Sequence, residues 1–294
     1  MSEIRIDALL PAEMAARAEY LGVRKAEMPA MKMFILAVLA GAFISLGAIF
    51  ATIAGTGTFT VTWMDGQSVS IAPPYGLQRL LMGAVFPLGL VLVVVGGAEL
   101  FTGNNLIVMA WANRKITTRA LLRNWGIVYL GNFVGAFGTA VLNFLTGQYL
   151  MAKGGVGITA LNIAIAKTQL GFFQALMLGV LCNALVCMAV WMTYSARSVI
   201  DKVIVTIPPI AAFVAAGYEH SVANMYFVPY AWLIKTFAPQ FVQQVAEKVS
   251  LLESLTWGNF LLHNLLPVTI GNIIGGAVLV ALVYWLIFLR NSTE

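Results

Sequence analysis

Long runs of apolar residues, separated by short polar segments, dominate the pattern along this chain. Six stretches carry no charged side chain, apart from one glutamate in the second and one in the fifth: residues 33–64, 80–113, 124–152, 168–196, 203–234 and 254–289. Each is long enough for a membrane-spanning helix, which takes about 20 residues. The pattern therefore predicts an all-α integral membrane protein with spans at about 33–55, 77–112, 124–147, 168–194, 203–234 and 258–288.

Glycines and polar residues interrupt the second and fifth stretches. The interruptions cover residues 96–104 and 217–224, and contain Glu99 and Glu219. As one helix the second stretch would be about 50 Å long, which is too long for one span and too short for two. Non-helical backbone is tolerated at membrane depth only where protein buries it or it lines a cavity. The second and fifth helices are therefore predicted to be broken at a transport site.

Two motifs occur twice in the same order, which indicates an internal duplication. The first pairs Gly97-x-Glu99-x4-Asn104 with Gly217-x-Glu219-x4-Asn224, and the second pairs Gly131-Asn132-x-x-Gly135 with Gly271-Asn272-x-x-Gly275. The glycines of the second motif are typical of close helix packing. Each half would hold three spans, an odd number, so the halves must insert with opposite topology. The sequence thus predicts a 3+3 inverted repeat with its site at the repeat interface.

The half-helices that follow the breaks indicate the kind of ligand. They would begin near Leu100 and Ser221 and direct the positive ends of their dipoles inward. Glu99 and Glu219 are predicted to cap the free backbone amides at these breaks rather than to touch a substrate. The expected substrate is a small anion.

Composition and charge are consistent with a membrane protein and predict its orientation. Hydrophobic residues make up 60% of the chain and charged residues 10%, which excludes a soluble domain. The predicted connections place twelve Lys and Arg residues on the side of both termini and five on the other. By the positive-inside rule both termini are cytoplasmic, in a multi-pass protein of the cytoplasmic (inner) membrane. The net charge of +5 follows from this bias and requires no nucleic-acid partner.

The chain is predicted to form a single membrane channel domain, residues 1–294. Residues 1–30 form a cytoplasmic amino-terminal part with a helix over about 12–21, and residues 31–290 form the six-span pore domain. This helix is expected to lie on the surface, with a gating plug as the alternative. No removable signal peptide is expected, and residues 154–157 are expected to lie in an external loop.

Few side chains could support catalysis. Cys182 and Cys187 lie five residues apart in the fourth span and are interpreted as small apolar packing residues. The two histidines have no neighbouring cysteines or carboxylates at a spacing typical of a metal site or a nucleophile–base pair. A membrane-embedded enzyme is therefore the less favoured function. Neither a metal nor another cofactor is expected.

Four longer motifs resemble signatures of the formate/nitrite transporter family. They are GAELFTGN at 97–104, GVLCNALVCMA at 179–189, FVAAGYEHSVAN at 213–224 and PVTIGNIIGG at 267–276. The resemblance runs nearly the whole length of the chain and is closest to the formate channels, although the best-known of these carry Asp and Ser in place of Glu99 and Gly103. It implies an aquaporin-like protomer of six helices, and a homopentamer in the lipid bilayer with one pore per protomer.

The resemblance also implies a function. The chain would be a passive or proton-coupled channel for formate and similar small monovalent anions of weak acids. Nitrite and hydrosulfide stay open as alternative substrates. A cytoplasmic formate-metabolising enzyme is suggested as a gating partner.

His220 is the first candidate for the transport chemistry. It lies beside Glu219 in the second break, imidazole titrates near physiological pH, and an ionisable group inside a membrane is a functional hypothesis by default. In the family the matching histidine faces the central chamber, so we expect His220 to give a proton to the anion, because the neutral acid crosses a dry constriction at lower cost. Thr102 and Asn183 resemble polar residues of that chamber, with a helix–helix hydrogen bond as an equal alternative for Asn183. Lys167 resembles an anion-attracting residue of the outer vestibule.

By the same resemblance, two apolar rings narrow the pore, and such rings exclude hydrated ions by dewetting. The outer ring comprises Phe86, Phe213 and Ala223, and the inner ring comprises Leu90, Leu100, Phe101 and Val186. From the residues alone, Phe86 and Leu90 would be core positions on one helix face.

Overall fold

The computed structural model describes residues 8–290, and this part of the chain is almost entirely helical. Its elements are α1 (Pro11–Ala26), α2 (Ala30–Ala54), β1 (Phe59–Thr62), β2 (Ser68–Ile71), α3 (Tyr75–Val85), α4 (Leu88–Gly96), α5 (Val108–Ala112), α6 (Thr118–Leu145), α7 (Gly155–Thr168), α8 (Phe172–Ser195), α9 (Val199–Ala216), α10 (Ser221–Phe237), α11 (Pro239–Val245) and α12 (Trp257–Phe288). A 3₁₀ turn, Gly103–Ile107, leads into α5. Helix α12 contains two π-helical segments, Phe260–Leu265 and Ile274–Leu282.

Six helical segments within residues 8–290 are long and apolar enough to cross a membrane: α2, α3 together with α4, α6, α8, α9 and α12. The predicted six-span all-α fold is thereby confirmed. The second span ends at Gly97 and the fifth at Gly217, which adopt left-handed backbone angles with φ of 75° and 78°. Glycine takes this conformation at no steric cost. The predicted breaks in the second and fifth helices are therefore present.

The half-helices after the breaks connect the two repeats. The 3₁₀ turn and α5 of the first repeat pack against α12 of the second, and α10 of the second repeat packs against α6 of the first. Thirteen of the 17 residues of α10 are buried, so this half-helix belongs to the core rather than to the lipid-facing surface. The reciprocal packing is the predicted inverted 3+3 arrangement.

Glycines let the paired spans approach closely. A β-carbon on Gly135 of α6 would overlap the carbonyl oxygen of Val38 in α2, and one on Gly275 of α12 would overlap that of Val180 in α8. The two repeats thus make the same backbone contact at equivalent positions.

A valine at Gly135 is therefore expected to destabilise the protein by about 1–3 kcal/mol, because the opposing atoms are backbone and cannot yield. Gly138→Val on the same helix is the matched control, since a β-carbon there has nothing within 4 Å. Thermal unfolding of both purified variants in detergent checks this, and equal melting temperatures would contradict the close approach of α2 and α6.

The prediction that residues 154–157 form an external loop is wrong, because they begin a helix. Helix α7 packs along α10, and the fourth span starts after it at Phe172, so Lys167 lies at the end of α7 rather than at the opening of a span. The glycines are explained by packing: a β-carbon on Gly157 would lie 2.5 Å from the ring of Phe241.

The amino-terminal helix α1 is longer than predicted and is docked onto the bundle. Its buried residues are Met14, Ala15, Ala18, Gly22 and Ala26. They pack with Leu106, Ile107 and Met109, which follow the first break. This docking places Lys25, near the end of α1, beside that break. The helix is therefore part of the fold around the site and not a separate surface helix.

The repeats differ in the connection between their first two spans. In the first repeat it holds the antiparallel hairpin β1–β2, with Phe59 opposite Ile71 and Asp65-Gly66 in the turn between the strands. In the second repeat the connection is only residues 196–198. We call the side of the bundle that carries the hairpin the hairpin side, and the other the α1 side.

Candidate functional site

Both breaks are held in place by main-chain bonds to the first span of their own repeat. The amide of Glu99 donates to the carbonyl of Leu36 in α2 at 3.2 Å, and the amide of Glu219 donates to Leu178 in α8 at 3.3 Å. Non-helical backbone inside a membrane has to find such partners, since no water or lipid group supplies them.

Two buried asparagines complete the support of the broken backbone. In the first repeat Asn132 of α6 accepts a hydrogen bond from the amide of Phe101 at 2.9 Å and donates to the carbonyl of Glu99 at 2.9 Å. In the second repeat Asn272 of α12 accepts from the amide of Ser221 at 2.9 Å and donates to the carbonyl of Glu219 at 3.0 Å. The repeated Gly-Asn-x-x-Gly motif therefore combines close packing with a polar brace.

The prediction that Glu99 and Glu219 cap the backbone amides is wrong, because the asparagines do so. Each carboxylate instead bonds a lysine and an asparagine side chain. Glu99 accepts from Lys25 at 2.8 Å and from Asn104 at 2.7 Å. Because Glu99 is buried, its carboxylate requires such a cationic partner.

The second repeat forms the same cluster in inverted orientation. Glu219 accepts from Lys167 at 2.7 Å and from Asn224 at 2.7 Å. The third spans contribute one further asparagine each: Asn124 bonds Asn104 and the carbonyl of Lys25, and Asn264 bonds Asn224 and the carbonyl of Lys167. The structure thus adds Lys25, Asn124 and Asn264 to the residues that sequence reasoning singled out. They could have been found from the sequence by looking for counterparts in the two repeats at the spacing that separates the repeats.

A cavity of about 520 Å³ opens on the hairpin side. Its lining includes Lys167, Glu219, Asn224, Arg79 and the expected outer ring, Phe86, Phe213 and Ala223. The rings of Phe86 and Phe213 meet edge to face with centroids 5.6 Å apart. The structure therefore brings these three ring residues together with Lys167, and His220 also lines this cavity.

A smaller cavity of about 210 Å³ lies on the α1 side. Leu90, Leu100, Glu99 and Lys25 line it, together with Gly97 and Asn104. Two of the four expected inner-ring residues, Leu90 and Leu100, are therefore at this cavity. Phe101 and Val186 are buried outside its lining, and Phe101 packs edge to face against Tyr129 at 4.9 Å.

His220, at the hairpin-side cavity, is 3% exposed. Its Nδ1 accepts a hydrogen bond from the backbone amide of Ala223 at 3.1 Å, so it caps the start of α10. Its Nε2 lies 3.0 Å from the hydroxyl of Thr102 in the first repeat. Because Nδ1 is an acceptor, a neutral ring carries its proton on Nε2 and donates it to Thr102. This pair joins the two repeats at the centre of the protein.

Asn183 supports the contact between His220 and Thr102. Its amide nitrogen donates to the carbonyls of Thr102 at 3.2 Å and Asn272 at 2.7 Å. The side chain is fully buried. These contacts match the helix–helix alternative for Asn183, and they position Thr102 for His220.

No cluster of three or more His, Cys, Asp or Glu residues among residues 8–290 could hold a metal ion. Cys182 and Cys187 are both buried and free, and the sulfur of Cys187 donates to the carbonyl of Thr102 at 3.3 Å.

Comparisons with known proteins match the whole span region. The model of the protein family described as "Formate/nitrite transporter" matches residues 12–286. The formate channel FocA of Escherichia coli (strain K12) is 46% identical over 287 residues, covering 97% of this chain and 96% of that protein. The formate channel FocB of the same organism is 35% identical over 292 residues, covering 99% of each.

Two solved structures share the fold. A structure described as a pentameric formate channel with formate bound matches with a TM-score of 0.76 and 41% identity, over 89% of this chain and 98% of that one. A structure described as an FNT family ion channel matches with a TM-score of 0.76 and 28% identity, over 94% of this chain and 98% of that one. These relatives are channels and transporters, not enzymes.

Proposed function

Because the chain belongs to the formate/nitrite transporter family, we propose that it conducts formate and similar small anions of weak acids across the cytoplasmic membrane. The observation that carries this proposal is the buried contact between His220, which lines one cavity, and Thr102, in the break that lines the other, with a lysine at each cavity. That arrangement offers a cation at each entrance and a proton-exchanging group in between.

The lysines explain how an anion enters. On the hairpin side the side chain of Lys167 is 14% exposed and lines the cavity, while on the α1 side the side chain of Lys25 is 28% exposed. Each is neutralised in part by its glutamate, so the protein does not trap the anion. Formate would approach either ammonium with its two oxygens, as carboxylates do with charged donors.

The apolar residues explain why a proton is needed. Phe86, Phe213, Leu90 and Leu100 offer no hydrogen bonds to replace the water of an anion, and an unpaired charge is costly in such surroundings. A neutral acid pays a far smaller penalty. Conduction as the acid is therefore the low-cost route through the centre.

His220 can supply that proton. An incoming proton binds Nδ1, which releases the amide of Ala223 and makes the ring an imidazolium. The Nε2 proton then passes to a carboxylate oxygen of the anion, which leaves a neutral acid and a neutral ring. In this tautomer the hydroxyl of Thr102, 3.0 Å away, donates to Nε2. The ring returns to its first state when Nε2 takes up a proton from the cavity and Nδ1 releases one to it.

Formate is favoured over nitrite or hydrosulfide because the relatives FocA and FocB are formate channels. Assembly as a homopentamer with one pore per protomer is supported by the pentameric structure that matches. The excess of Lys and Arg on the α1 side supports cytoplasmic termini. A cytoplasmic formate-metabolising enzyme as gating partner, which the family resemblance suggests, is also part of this proposal.

The proposal is tested with purified protein in liposomes. Uptake of formate should exceed uptake of nitrite and hydrosulfide, and it should be faster at about pH 6 than at about pH 7.5, because each acid molecule carries a proton in. Liposomes without protein give the background. Formate flux equal to that background would overturn the proposal. Nitrite flux faster than formate flux would indicate that nitrite, rather than formate, is the substrate.

A further inference from the structure

One basic side chain of the hairpin-side cavity has contacts that anion attraction does not explain. Arg79 of α3 donates from Nε to the carbonyl of Ala215 at 3.0 Å, and from Nη2 to the carbonyl of Val214. These carbonyls belong to the last turn of α9 before its break, at the negative end of the helix dipole. The planar fork of a guanidinium suits two successive carbonyls, and an ammonium does not match it.

Two glycines allow this contact. A β-carbon on Gly217 would lie 3.2 Å from Nη2 of Arg79, so the guanidinium sits directly against the break. A β-carbon on Gly83, one turn after Arg79, would lie 2.6 Å from the carbonyl oxygen of Ala211. Helices α3 and α9 are therefore in close contact along this face.

The same face of α3 ends at Phe86, which lines the hairpin-side cavity. Phe86 follows Arg79 by seven residues, which is two helical turns, and so lies on the same side of α3. Its partner Phe213 directly precedes Val214, whose carbonyl Arg79 binds. A displacement at the end of α9 would therefore move Phe213 relative to Phe86.

We infer that Arg79 is a positioning residue that sets the width between Phe86 and Phe213, and thereby the size of the acid that the channel admits. This inference rests on the proposed function for its transport readout. The width would depend on the two bonds from Arg79, and not on its charge as such.

The test uses Arg79→Gln and Arg79→Lys in liposomes, with Lys248→Gln as a charge-matched control. Lys248 is exposed on the hairpin side. The readout is the ratio of acetate flux to formate flux. Both anions carry one negative charge, so loss of a positive charge lowers both fluxes alike and leaves the ratio unchanged. We expect the ratio to rise at least fivefold in Arg79→Gln, to rise less in Arg79→Lys, and to stay constant in Lys248→Gln.

Hydrogen–deuterium exchange over residues 207–218 supplies a readout that needs no substrate. Exchange there should increase in Arg79→Gln in protein that still elutes as the native oligomer. An unchanged flux ratio, or unchanged exchange, would overturn the inference. If the wild type carries no formate while exchange rises in Arg79→Gln, the proposed function fails, but the inference that Arg79 holds the end of α9 in place stands.

Discussion

Replacement of His220 by phenylalanine is expected to abolish proton-coupled uptake of formate, with a fall of at least tenfold in the uptake that a pH gradient drives. The aromatic ring keeps the stacking against Phe213, whose centroid lies 5.8 Å away. It removes both ring nitrogens, and so removes the only group that the proposed step uses to hand over a proton. Liposome uptake of labelled formate, with and without an imposed pH gradient, measures the effect.

His220→Asn separates transport from folding. Asparagine is a strong N-cap and can accept from the amide of Ala223 in place of Nδ1, but it does not exchange protons. Proton coupling should be lost in this variant too, while the protein stays as stable as the wild type. His263→Asn, at an exposed histidine, should leave flux unchanged. An intact pH dependence in His220→Phe would refute the role of His220.

Replacement of Lys167 by methionine is expected to have the largest effect on stability. It leaves the carboxylate of Glu219, whose side chain is 6% exposed, without its cation. Breaking a buried pair in this way typically costs about 3–5 kcal/mol, because the remaining charge is uncompensated. Thermal unfolding in detergent should show the loss, and Lys153→Met, at an exposed lysine, should not.

The double variant Lys167→Met/Glu219→Gln tests the cause. It removes both charges and keeps an amide that can still bond Asn224 and Asn264, so stability should largely return. Formate flux should stay low, since the cation at the entrance is absent. If the double variant is no more stable than Lys167→Met, an unpaired carboxylate is not the reason for the loss.

The spans and the breaks could be predicted from the sequence because they follow from local composition. A stretch that is too long for one helix and contains Glu99 or Glu219 can be recognised without knowing which residues it contacts in the fold. The glycines at 97 and 217 then mark the break, since their left-handed backbone angles suit glycine.

The partners of the glutamates could not be read in the same way. Lys25 meets Glu99 across 74 residues of sequence, and Asn132 reaches Phe101 across 31. A lysine in an amphipathic terminal helix and an asparagine in an apolar span look ordinary until the fold brings them together. Helix α7 was missed for a similar reason, because the close approach of Phe241 explains its glycines only in three dimensions.

The reciprocal packing of the half-helices has a consequence for biogenesis. The first three spans leave the ribosome before α12, so α5 and Thr102 enter the membrane without the surface that will cover them and without His220. Domains generally fold as units in the order of synthesis, but here neither repeat contains a whole site. The central pair can assemble only after the second repeat has inserted upside down beside the first, and a chain truncated after the first repeat would leave the polar residues of its break uncovered in the lipid.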